Sequence, residues 1–238
     1  MPPEYQYLSL VESNLAEGVV VVVDVLRAFT TAAFAFSSGA KEIIPVSGIE
    51  EAKALKIALP GTLLMGEDRG MSLAGFDFGN SPEEISRMDL TGRTLIQRTS
   101  AGTQGILRSI HADQIFAASF VVAKATADIL SLLCPEKITF VITGESLERD
   151  GDEDRACGEY IQALLQDDYA DPEPYTERIL TSSVGRTFTE GTYSNLSRED
   201  LRLSMMVNRF SFAMPVYREA GEWVMRKLEV GFDQELAS

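Results

Sequence analysis

Val19-Val20-Val21-Val22-Val23-Asp24-Val25-Leu26-Arg27 is the stretch on which the fold of this 238-residue chain turns. An unbroken β-branched run of this kind is stiff at χ1 and reads as a strand buried on both faces; it is far too short to span a bilayer. It stops on a carboxylate, and apolar residues at helical spacing follow over 27–38 until Gly39. A buried strand running straight into a helix is the start of a parallel crossover.

The same alternation continues outward from this point. Short apolar runs at 42–46, 63–67, 95–99, 115–118 and 138–143 read as further strands. Segments at 49–58 (ended by Pro60-Gly61), 102–110, 121–134 and 153–166 read as helices between or after them. Ala156, Tyr160, Ile161, Leu164 and Leu165 recur at spacings of three and four, which places them near one face of the last helix. The polar stretch 167–176, with two prolines, reads as a surface loop. The segment 198–227 reads as a helical C-terminal portion broken at Pro215. The fold class is therefore α/β with a largely parallel or mixed sheet in a single domain over 1–238, its motifs lying within 19–165.

Composition narrows the partners. The chain carries 21 basic and 36 acidic residues, a formal charge of -15, which repels nucleic acid and anionic membranes. A phosphate site in such a protein has to bring its own arginines, backbone N–H groups or cation. Two cysteines, Cys134 and Cys157, stand in no metal-ligand or redox spacing. The start, Met1-Pro2-Pro3-Glu4-Tyr5, shows no basic and then apolar leader pattern, so a cytoplasmic location is expected. Met205, Met206 and Phe210 could form an exposed apolar face for a homodimer or simply a core face.

Open α/β sheets bind ligands at the carboxyl ends of their strands, and here those ends are polar. They read Asp24-Val25-Leu26-Arg27, Glu67-Asp68-Arg69-Gly70, Arg98-Thr99-Ser100-Ala101-Gly102-Thr103 and Thr143-Gly144-Glu145. Arg27 stands at a helix start, where a phosphate would meet both the guanidinium and unpaired N–H groups. Thr99, Ser100, Gly102 and Thr103 supply hydroxyls and a close backbone approach before another helix; a salt bridge for Asp24 and Arg27 and an N-cap for this loop are the plainer readings. In Gly75-Phe76-Asp77-Phe78-Gly79-Asn80-Ser81-Pro82-Glu83-Glu84, a capped turn with Glu84 closing a capping box on Ser81 explains the last four residues. It leaves Asp77 and Asn80 as hard oxygen donors suited to magnesium or its waters. Asp150-Gly151-Asp152-Glu153-Asp154 is an acidic helix start from which Glu153 or Asp154 could supply a metal carboxylate.

Several phosphatase chemistries find no support in the motifs. Asp24 has no second aspartate two residues on, neither cysteine opens a Cys-x5-Arg loop, and the single histidine, His111, lies in no Arg-His-Gly motif. A Gly-x4-Gly-Lys-Ser/Thr loop is absent as well, which disfavours nucleotide hydrolysis.

The motifs Asp24-Val25-Leu26-Arg27-Ala28, Gly66-Glu67-Asp68-Arg69-Gly70, Gly75-Phe76-Asp77-Phe78-Gly79-Asn80-Ser81-Pro82 and Thr99-Ser100-Ala101-Gly102-Thr103, with the acidic turn through Asp154 to Gly158, resemble the 2-phosphosulfolactate phosphatases in order and spacing. The resemblance implies a three-layer α/β/α enzyme that uses Mg2+ to hydrolyse 2-phosphosulfolactate to sulfolactate and phosphate, in archaea a step of coenzyme M biosynthesis. On the chemistry of these residues, Asp24, Arg27, Glu67 and Asp77 are expected in catalysis, with Asp24, Glu67, Asp77 and Asp154 on the metal. Arg69, Asn80, Ser81, Thr99, Ser100, Gly102 and Thr103 fall to the substrate. One departure stands out: Ala101 occupies the place of an asparagine in the family's Thr-Thr-Asn-Gly-Thr motif. Another short phosphorylated acid, or binding of a small anion without turnover, are the alternative functions.

Overall fold

The computed structural model describes residues 2–145, 149–167, 169–191 and 196–231. Its strands are β1 (Glu4–Ser9), β2 (Gly18–Val23), β3 (Glu42–Val46), β4 (Leu63–Asp68), β5 (Met71–Ser72), β6 (Thr94–Arg98), β7 (Ala112–Ala118), β8 (Lys137–Ile142), β9 (Phe212–Glu219), β10 (Glu222–Met225) and β11 (Leu228–Glu229). The helices are α1 (Ala28–Ser37), α2 (Ile49–Ala58), α3 (Pro82–Ile85), α4 (Gly102–Arg108), α5 (Ala123–Leu133), α6 (Asp152–Gln166), α7 (Glu173–Thr181), α8 (Ser183–Glu190) and α9 (Arg198–Ser204).

Every strand predicted between 19 and 143 is present, and the valine run explains why three layers form. Successive side chains of a strand point to opposite faces. Val20 and Val22 join one core with Phe29, Ala32 and Ile106, while Val19, Val21 and Val23 join another with Leu130, Ile161 and Phe188. Helices α1 and α4 thus cover one face, and α5, α6 and α8 cover the other. A smaller cluster of Ile44, Val46, Ala52, Leu64 and Ile96 seats α2 on the outlying strands.

The sheet is mixed, in the order β1-β8-β2-β7-β9-β10-β3-β6-β4-β5, with β11 paired to β9. Strands β1, β8, β2 and β7 run parallel, as do β3, β6 and β4. The antiparallel hairpin β9–β10 joins the two parallel sets.

That hairpin corrects the expected helical C-terminal portion: between 198 and 227 only α9 is helical, and β9 and β10 take up most of 212–225. Ala220 and Gly221, both at positive φ (50° and 94°), form the two-residue turn that suits the twist of a hairpin. Pro215 is not a helix break but a strand residue. Its carbonyl accepts from the Arg226 N–H at 2.9 Å, beyond the end of β10, so its missing N–H costs little pairing. The loop expected over 167–176 is also shorter, because α7 begins at Glu173 behind Pro172. Met206 and Phe210 pack against one core and Met205 against the other, which accounts for their apolar character without a second copy. Among the described residues no helix is long and apolar enough to cross a membrane.

Candidate active site at the strand ends

The carboxyl ends of β2 and β8 meet those of β4 and β6 around a cavity of about 900 Å³. Helix α4 makes this meeting possible. A Cβ at Gly105 would stand 2.6 Å from Val22 and 3.0 Å from Thr143, and one at Gly102 would stand 2.8 Å from Asp24 Oδ2. Only glycine lets the helix come so close, and its start lies directly over Asp24.

Asp24 is 6 % exposed, and its Oδ1 accepts the Ala28 N–H at 2.9 Å at the first turn of α1. Across the cavity, Glu67 takes the Ser100 N–H on Oε1 at 2.6 Å and the Gly70 N–H on Oε2. Arg69, at φ 49°, donates its N–H to Ser100 Oγ at 2.7 Å, which fixes the two loops together. From the start of α6, Asp154 accepts the Val25 N–H on Oδ1 and the Gly144 N–H on Oδ2, both at 2.7 Å, with Thr143 Oγ1 at 3.2 Å from Oδ2. Asp154 therefore staples the ends of β2 and β8. Glu153 beside it is 2 % exposed, and its Oε2 has no hydrogen-bond partner among the described residues.

Asp24, Glu67, Glu153 and Asp154 all line this one cavity. Burial raises the pKa of Asp24, and the Glu67 charge adds to it against the Ala28 N–H. Burial likewise raises Asp154, reinforced by Glu153 and Asp24. Glu153 is raised first by burial and further by Asp150 and Asp24, against its hydrogen bonds. Carboxylates held together out of water call for a compensating cation or for protons. Arg27, Arg69 and Arg149 line the same cavity and supply part of that charge.

The donor set suits magnesium. It consists of hard carboxylate oxygens, with Glu153 Oε2 and the buried Asn80 Oδ1 both unpartnered among the described residues. No group of three acidic, histidine or cysteine side chains among the described residues forms a ready-made ion cage.

Of the residues singled out in the sequence, Asp24, Arg27, Glu67, Arg69, Asn80, Ser100 and Asp154 line the cavity together, and Ala101 joins them. Ser81 lines a neighbouring cavity of about 430 Å³, which shares Arg27, Glu67, Gly70 and Asn80 with the first. Ser81 also caps α3 through the Glu84 N–H at 3.1 Å; the Glu84 carboxylate reaches back to the Gly79 N–H at 2.9 Å rather than to Ser81. Thr99 and Thr103 are turned inward, each hydroxyl taking the other's N–H at 3.0 Å and 2.9 Å, so they shape the loop from behind. Gly102 contributes by its closeness to Asp24 rather than by lining the space. Asp77 lies apart from the cavity: its Oδ2 holds the Leu64 N–H at 2.7 Å at the opposite end of β4 and pairs with Lys56. Asp200 and Phe188 were not singled out, since a helix-start aspartate and a core phenylalanine carry no chemical signature of their own. Both bear on Arg27, which donates from Nη1 to Asp200 Oδ2 at 2.6 Å with its guanidinium 5.5 Å from the Phe188 ring.

Fold and site together define a three-layer α/β protein with a mixed-charge cleft where two sets of parallel strands end. The family model for 2-phosphosulpholactate phosphatase matches residues 6–202, and the chain belongs to that family. It is 36% identical over 182 residues to a protein of Bacillus subtilis described as a probable 2-phosphosulfolactate phosphatase, covering 76% of this chain and 79% of that one. A protein of Caldicellulosiruptor saccharolyticus with the same description is 34% identical over 180 residues, 69% of each chain. A third, from Carboxydothermus hydrogenoformans, is 46% identical over 117 residues, 49% of this chain and 48% of the other.

Proposed function

We propose that the chain is a magnesium-dependent phosphoric monoester hydrolase that converts 2-phosphosulfolactate into sulfolactate and phosphate. The observation that carries this reading is the family match over residues 6–202, which spans every element that lines the cleft. Water supplies the oxygen that forms the new bond to phosphorus, and the ester oxygen leaves with a proton. Such a reaction gains its rate from positioning and from stabilising charge on the transferring group.

In this reading Arg27 and Arg69 bind the phosphoryl oxygens from either side of the cavity. One or two of Asp24, Glu67 and Glu153 would hold magnesium directly and the rest through its waters, with Asn80 as a further oxygen donor. Asp154 keeps both oxygens on backbone N–H groups and so fixes the strand ends that carry Asp24 and Gly144. Bound magnesium would supply Lewis-acid polarisation of a phosphoryl oxygen and offset the charge of the carboxylates. Ser100, held by the Arg69 N–H and near Glu67, orders the loop against the substrate.

Ala101 lines the cavity where the family motif has an asparagine, which favours one second reading, a phosphatase of another short phosphorylated acid. The test is phosphate release by purified protein from 2-phosphosulfolactate and a panel of such acids, with magnesium and then with excess chelator. Chelator-sensitive release that favours 2-phosphosulfolactate is the expected result. Preference for a different acid moves the substrate, release unaffected by chelator removes the metal, and no release from any ester overturns the reading.

A further inference from the structure

Arg27 lines both cavities, so the direction of its guanidinium decides what each can hold. One anchor of that direction lies 173 residues away in the chain. Asp200 in α9 accepts Arg27 Nη1 on Oδ2 at 2.6 Å, and the two side chains are only 6% and 1% exposed. The other oxygen of Asp200 accepts Ser81 Oγ at 2.7 Å and the Glu83 N–H at 2.9 Å. The N–H of Asp200 is itself held by Ser197 Oγ at 3.0 Å, and Ser197 donates from that hydroxyl to Glu83 Oε2 at 2.6 Å. One carboxylate thus ties α9, the start of α3 and Arg27 into a single buried unit.

We infer that Asp200 is a positioning residue for Arg27, helping to orient the guanidinium toward the phosphoryl group. The inference rests on the phosphatase reading of the site. Its physical basis is that the Asp200 carboxylate meets three donors and no acceptor among the described residues, and that a charge-assisted bond to a buried guanidinium is among the stronger and more directional contacts a protein makes. Asp200 touches no reacting atom and acts only through Arg27.

Asparagine at 200 separates positioning from support. An amide offers one accepting oxygen and one donating NH2 group, so one side of the unit must lose its partner. The turn side presents two donors, one of them a backbone N–H, and retains the oxygen. The NH2 then faces Arg27 Nη1, donor against donor. Asp200→Asn therefore keeps the turn and takes the charged acceptor away from Arg27 Nη1.

The experiment is a double-mutant cycle in the full chain with Asp200→Asn, Arg27→Ala and the pair together, reading kcat and KM for phosphate release with magnesium present. Binding of inorganic phosphate by calorimetry and thermal melts accompany each variant, and Arg27→Lys replaces Arg27→Ala if the latter does not fold. Asp200→Asn is expected to lower kcat/KM by roughly ten- to a hundredfold and to weaken phosphate binding, as loss of one bond to a charged group would. In the Arg27 background it should add nothing further. Added guanidinium should partly restore Arg27→Ala but not the double variant, which lacks the seat for it. Losses that multiply in the double variant, or an Asp200→Asn that melts lower yet keeps wild-type turnover and phosphate affinity, overturn the inference. If wild type releases no phosphate from any ester, the function reading falls while phosphate binding still decides the role of Asp200; wild type that binds no phosphate overturns that role too.

Discussion

Replacing Gly102 by alanine tests the closest contact in the site. The added Cβ would stand 2.8 Å from both Asp24 Oδ2 and Ala28 Cβ, and 3.2 Å from Asp24 Cβ. Ordinary contacts between such atoms lie near 3.5–4.0 Å, so something must move by about 0.7–1 Å. Neither neighbour yields easily: Ala28 is fully buried at the start of α1, and Asp24 is held by the Ala28 N–H. Overpacking of this kind costs about 1–3 kcal/mol, which for a chain of this length is a fall in Tm of roughly 2–12 °C. A displacement of about 1 Å at a catalytic carboxylate costs on the order of a hundredfold in rate. Thermal melts and phosphate release on the same preparation read both effects. Gly48→Ala is the control, because its Cβ would meet only Glu51 Cβ at 3.8 Å, and its turnover should equal that of wild type. Wild-type turnover in Gly102→Ala would refute the claim that α4 sets the position of Asp24.

Asp24→Asn should lower turnover by about a hundredfold or more with the fold intact, since a neutral amide lacks the charge that a cation or a developing phosphoryl charge demands; near-normal release removes Asp24 from the chemistry. Asp77→Ala should do the reverse, lowering stability by about 1–2 kcal/mol through loss of the Leu64 and Lys56 contacts while turnover stays within about twofold of wild type. A collapse of its turnover would mean that Asp77 reaches the cleft. Glu42 gives a pH test away from the site: burial acts to raise its pKa, but the Thr94 hydrogen bond and the charges of Lys41 and Arg226 hold it below the ordinary value. A carboxylate with a depressed folded pKa adds stability that is complete above its unfolded pKa and lost as pH falls through the folded one. The Tm gap between wild type and Glu42→Gln should therefore narrow from about pH 7 to about pH 3, and a gap that stays constant or widens would contradict it.

The residues that the sequence exposed and those it hid differ in a physical way. Residues 19–143 were legible because each element there carries its own local pattern, an apolar run ending on a polar residue and then a helical period. The strand ends so identified do meet in one cleft at Asp24, Arg27, Glu67, Arg69 and Ser100. β1 was missed because its signal is only Tyr5 and Tyr7 at alternate positions, and their burial depends on stacking over Phe140. β9 and β10 were hidden by Pro215, whose tolerance in a strand depends on where β10 happens to end. Asp77 and Asn80, three residues apart and equal as oxygen donors, parted only when the loop folded, one toward Lys56 and the other toward the cavity.

By itself, then, the sequence determined the α/β class, the central strands and the polar strand ends, because hydrophobic periodicity and residue chemistry are local properties. Tertiary structure alone decided that two parallel sets meet across a β9–β10 hairpin and that Glu153 has, among the described residues, an unpartnered oxygen. It also decided that Asp200 holds Arg27. These depend on contacts between residues far apart in the chain, where burial and the meeting of donor with acceptor, not spacing, assign the role.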